Sequence, residues 1–131
     1  MPSLMNKTVT RPQLTAYESV LLICAALALR GKTIVRHDTL IQILYQNKGD
    51  LKTKVLFEDV AFRKTIDTVT SVDIEDSLIK LQTYGAIGKL NPAYEKIIIY
   101  IRPEEAKDFL SAHSPEIREA ANRISEDLVD V

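Results

Sequence analysis

Little in this sequence is equipped for covalent chemistry. Its 131 residues hold one cysteine and two histidines. The single thiol, Cys24, excludes an intramolecular disulfide and any multi-cysteine zinc site, and its neighbours Leu22, Ile23, Ala25 and Ala26 mark it as a small core residue. His37 and His113 lie far from Cys24 and from each other in sequence, so no metal-ligand spacing is present. No Ser/His/Asp or Cys/His arrangement occurs at a recognisable spacing, and neither an enzyme nor a cofactor is expected. Net charge of one sign is lacking too: the formal charge is −1 and the pI near 6.1. A nucleic-acid partner would therefore have to be met by a local patch.

The longest apolar run, "VLLICAALAL" at 20–29, is also short. Ten residues are half of the roughly 20 needed to span a bilayer. Lys7 and Arg11 precede the run and Ala26-Leu27-Ala28 lies within it, as in a secretory leader, but Glu18 sits just before it and the leader would be long for its apolar region. A buried helix in a cytoplasmic protein is expected, with no membrane partner. "ALALRGKT" at 26–33 ends like a phosphate-binding loop, yet the position five before Gly31 is Ala26, and the glycine follows a helix instead of leading into one. Gly31 reads as a helix C-terminal cap.

What is present describes one ordinary globular domain, with 46% hydrophobic and 27% charged residues. The near-neutral total conceals an asymmetry. Residues 1–70 carry ten Lys/Arg against six Asp/Glu, and residues 71–131 carry seven against twelve.

After a polar extension over 1–12, the spacing predicts a central helix over about 13–30, apolar all round, with Pro12 at its entrance and Gly31 at its exit. Thr33-Ile34-Val35 suits a short strand. Leu40, Ile41, Leu44 and Tyr45 then share a helical face behind Asp38, a candidate N-cap, and Gly49 closes that helix. Over 50–70 the pattern fits a strand and a helix or one irregular helix, and a helix over about 57–68 is expected. From Ser71 or Asp73 a further helix runs through Ile74, Leu78 and Leu81 to Gly85. Lys89-Leu90, the turn Asn91-Pro92 and "KIIIYI" at 96–101 make a β-ribbon. Pro103 opens a helix with Ala106, Phe109 and Leu110 as its apolar residues, and Ser114-Pro115 opens the last one, with Ile117, Ala121, Ile124 and Leu128 on one side.

A mainly α chain with a small β-ribbon, in this order, resembles the winged helix-turn-helix superfamily. The residues carrying the resemblance are Leu78, Leu81, Gly85 and Ile87, with the ribbon from Lys89 to Ile101 as the wing. It implies a winged-helix domain over 13–102, with additional C-terminal helices over 103–131. The segment 49–71 departs from the superfamily's short turn: it is either an insertion, or it contains the true second helix and the 13–30 helix is an addition. The resemblance implies transcription-regulator-like binding to double-stranded DNA, with the third helix in the major groove and the wing beside the backbone.

The charges divide the functional reading. Candidate phosphate contacts are Arg30, Lys32, Arg36, Lys48, Lys52 and Lys54, then Lys80, Lys89 and Lys96. The third helix, however, opens with Asp73, Glu75 and Asp76, which favours a winged-helix subunit of a multi-protein complex that docks a basic protein partner. For the last helix, Ile117, Ala121, Ile124 and Leu128 form either the seam of a homodimer or a face packed on the chain's own domain.

Overall fold

The computed structural model describes residues 14–90 and 95–130. The N-terminal extension and the Asn91-Pro92 turn lie outside the described residues. The described residues form five α-helices and two small antiparallel sheets, with one of the helices at the centre.

That helix, α1 (Ala16–Leu29), starts from a capping box. Thr15 Oγ1 accepts from the Glu18 amide, and the Glu18 carboxylate accepts from the Thr15 amide. Ten of its fourteen residues are buried. With no polar stripe to face water, such a helix has to be covered on all sides. It ends in a Schellman arrangement: Gly31 takes φ +78°, and the Gly31 and Lys32 amides donate to the carbonyls of Ala28 and Leu27.

β1 (Ile34–Arg36) leads directly into α2 (His37–Asn47). The helix begins two residues earlier than expected, and Asp38 is not its N-cap. Arg36 occupies that position without a side-chain cap, and the His37 amide donates to the Glu95 carbonyl instead. Asp38 lies in the first turn, where its carboxylate suits the helix dipole.

The expected helix over 57–68 is not formed. A single 3-10 turn (Lys54–Phe57) buries Val55, Leu56 and Phe57, and a hairpin follows from β2 (Arg63–Lys64) to β3 (Val69–Thr70). The cause is tertiary. Both backbone groups of Ala61 are taken by the next helix, its amide by Asp73 Oδ2 at 2.7 Å and its carbonyl by Ser71 Oγ at 2.7 Å. Thr65, Ile66, Thr68, Val69 and Thr70 are β-branched and suit a ribbon. Ile66 is 97% exposed at the hairpin tip.

α3 (Val72–Thr83) is capped by Ser71, whose Oγ accepts from the Ile74 amide. Its exit repeats that of α1, with Gly85 at φ +80° and the Gly85 and Ala86 amides donating to Gln82 and Leu81. β4 (Ile87–Leu90) then pairs with β5 (Lys96–Ile99), and β5 pairs with β1, giving the order β1-β5-β4. Ile97 and Ile99 are buried and Ile98 is half-buried. The sheet thus ties the start of α2 to the exit of α3.

α4 (Pro103–Ser111) and α5 (Pro115–Val129) both carry proline in the first turn. Both pack on α1, while α3 covers another side of it. Phe109 is partly exposed, and only Ala106 and Leu110 are buried on α4. Ile117, Ala121, Ile124 and Leu128 are buried against α1, α2 and the 3-10 turn of the same chain. Of the two expectations for this face, packing on the chain's own domain is the one formed. No buried side-chain nitrogen or oxygen lacks a hydrogen bond among the described residues.

Two outcomes are expected. Ile124→Ala should lower stability in urea unfolding by about 2–5 kcal/mol through the cavity it leaves, with no change of mass in solution, whereas a seam residue would alter the oligomer. Burial raises the Cys24 thiol to about 12, so a disulfide-exchange reagent at about pH 8 should modify the native chain only as fast as it unfolds.

Candidate interaction surface

α3 is the element on which the sequence places its most pointed charges, and its inward face is fixed by Ile74, Ser77, Leu78 and Leu81, all buried. At 100° per residue the opposite face is centred on Val72, Ile79 and Thr83, with Glu75 and Gln82 on one flank and Asp76 and Lys80 on the other. Val72 is 74% exposed and Ile79 is 56% exposed. The outward surface of this helix is thus aliphatic at its centre and acidic at its start.

The three predicted carboxylates have separate fates. Asp73 accepts from the Ala61 amide and is half-buried. Glu75 meets His37 Nε2 at 2.9–3.0 Å, a contact between the first turns of α3 and α2. Asp76 is exposed. Between α3 and the start of α1 lies a cleft of about 480 Å3 whose lining includes Asp59, Asp73, Asp76, Lys80, Tyr17 and Tyr84. Asp59 accepts from the Ala16 amide there, so two of its three carboxylates already hold backbone groups. The Tyr17 phenol is raised by partial burial and, less, by neighbouring Tyr84, against which its ring packs edge-on.

The predicted basic residues divide between those with partners within the chain and those left exposed. Arg30 turns inward to α5, donating from Nε to Ser125 Oγ and from Nη2 to Asn122 Oδ1, both at 2.7 Å, with Glu126 at 3.4 Å. Arg36 lies between Asp38 at 3.4 Å and Glu95 at 3.8 Å. Lys32 is half-buried. Arg36 and Lys96 are register partners at one end of the sheet, and Lys89 lies opposite Ile97 on β4. Lys48 sits 5.2 Å above the Tyr45 ring. Lys48, Lys52 and Lys54 are exposed, as are Arg63 and Lys64 of the hairpin.

Val72 and Ile79 were not among the sequence candidates. The same periodicity that places Ile74, Leu78 and Leu81 inward puts these two outward, so the signal was present. The His37 contact with Glu75 had none, because the residues are 38 apart. Among the described residues no group of three or more His, Cys, Asp or Glu is placed to hold a metal ion, and no helix is long and apolar enough to cross a membrane.

Replacing Asp73 with alanine should cost about 1.5–3 kcal/mol, the range for a hydrogen bond to a charged group. Hydrogen exchange should show the Ala61 amide losing protection while the α5 amides keep theirs. Comparison with protein-family models, with curated proteins and with solved structures found no match to this chain.

Proposed function

We propose that the chain is a winged-helix protein-interaction module that docks a partner through the outward face of α3. The winged-helix part of the reading is supported by the element order α1, β1, α2, α3, β4, β5 and by the strand order β1-β5-β4. In this arrangement residues 49–71 are an insertion between the second and third helices, and α4 and α5 are additions that enclose α1.

One observation carries the choice of partner: the face of α3 turned to solvent holds Val72 and Ile79 beside Glu75 and Asp76, with Lys80 as its flanking cation. In a phosphate-lined groove, a like-charge pair at about 4 Å costs on the order of 4 kcal/mol at an effective dielectric of about 20. A good bidentate base contact returns only about 1–3 kcal/mol. Against a protein the balance reverses. Each aliphatic side chain gains up to about 1.5–3 kcal/mol on full burial, and the carboxylates select a partner that brings Lys or Arg.

A second reading is favoured by a different observation. Lys48, Lys52, Lys54, Arg63 and Lys64 are exposed on and beside the insertion, and they suit non-specific phosphate contacts with duplex DNA. That reading leaves α3 out of the groove.

The two are separated by a photo-cross-linking amino acid placed at position 79 or at position 52 in cells. The expected result is nuclease-insensitive protein adducts from position 79, lost when the exposed Asp76 is changed to lysine. Nucleic-acid adducts from position 79 would overturn the protein-docking reading. In vitro, duplex DNA affinity should be weak at about 50 mM salt, weaker at about 200 mM, removed by Lys52→Glu with Lys54→Glu, and unchanged by Ile79→Ser.

A further inference from the structure

A second concavity, between α1, α4 and α5, has no part in the reading above. It is open to solvent and measures about 680 Å3, within the roughly 300–1,000 Å3 of small-molecule sites. Its floor is aliphatic, made by Ala26 and Leu29 of α1, Leu110 of α4 and Pro115 of α5. Leu29 remains 41% exposed there. The fold therefore leaves a leucine uncovered inside a hollow.

The rim has the opposite chemistry. Arg30 at the C-cap of α1, Lys107 of α4 and Arg118 of α5 stand there against one carboxylate, Glu119. Arg30 spends Nε and Nη2 on α5, and Arg118 gives Nη1 to the His113 carbonyl. Lys107 makes no ion pair among the described residues. A long cation lying along apolar surface is ordinary when it comes singly. Three cations at the edge of one uncovered leucine call for a ligand that satisfies both.

We infer that this cleft binds a small amphipathic carboxylate, its aliphatic body on Leu29 and Leu110 and its charge between Lys107 and Arg118. A bare phosphate would leave the floor uncovered, and an amphipathic cation would meet three like charges. The site is independent of the α3 surface, and either can fail without the other.

The test uses decanoate with the full chain, followed by calorimetry and by displacement of an anionic naphthalene dye. Decanoate should bind once per chain and displace the dye, while decanol and decyltrimethylammonium should not compete at the same concentrations. Lys107→Glu should weaken decanoate about tenfold or more, as expected for loss of a charge-assisted contact. Leu29→Trp, which fills the floor, should abolish binding, and Lys52→Glu, remote from the cleft, should change nothing. Arg30 is left intact because it anchors α5. Absence of saturable binding, equal competition by decanol or the cation, or unchanged affinity in Lys107→Glu and Arg118→Glu chains with native circular dichroism would each overturn the assignment.

Discussion

The fold depends on the need to cover α1 on every side. Amphipathic helices need one neighbour, but Val20, Leu22, Ile23, Ala25 and Leu27 point round the whole circumference and all are buried. α3 supplies one wall, α4 and α5 supply others, and the 3-10 turn also reaches this helix. One continuous core results. The C-terminal helices are therefore structural walls for the same helix that backs α3. Ser19, polar and buried within this helix, is accommodated because its hydroxyl donates to the Leu56 carbonyl.

Local signals were legible where the physics is local. Both helix exits could be read from Gly31 and Gly85, since a left-handed residue is needed there and each glycine sits at the end of an apolar period. The inward faces of α3 and α5 followed from spacing alone. Residues 57–68 defeated the same method because their backbone is claimed from outside the segment: Asp73 and Ser71 take both polar groups of Ala61. For α5, spacing announced a buried face but could not say what buries it. In the candidate surface, the acidic start of α3 was visible, while its link to His37 was hidden by sequence distance.

Charge counting by halves had a related weakness. A basic first half suggested a basic face, but Arg30 is committed to α5 and Arg36 to Asp38 and Glu95. Among the described residues of this half, the exposed cations left over run from Lys48 to Lys64, on the segment between α2 and α3. The acidic half behaves alike, with Asp73 and Glu75 bonded within the chain and Asp76 left open. Surface chemistry is what remains after folding has used its share.

That residue of unused groups bears on why the start of α3 is acidic at all. A helix evolving to enter a phosphate-lined groove could exchange surface carboxylates for lysine at small cost, since exposed substitutions usually change stability by less than about 0.5 kcal/mol. Asp73 and Glu75 are not free in that sense. One holds the segment before α3 by the Ala61 amide and the other holds α2 by His37, so replacing them by cations would remove both contacts and set positive charge at a helix N-terminus. Two of the carboxylates at this end of α3 are thus used by the fold before any partner is considered. A partner that meets Val72 and Ile79 has to accept them, and a protein bearing lysine or arginine can do so where a phosphate backbone cannot.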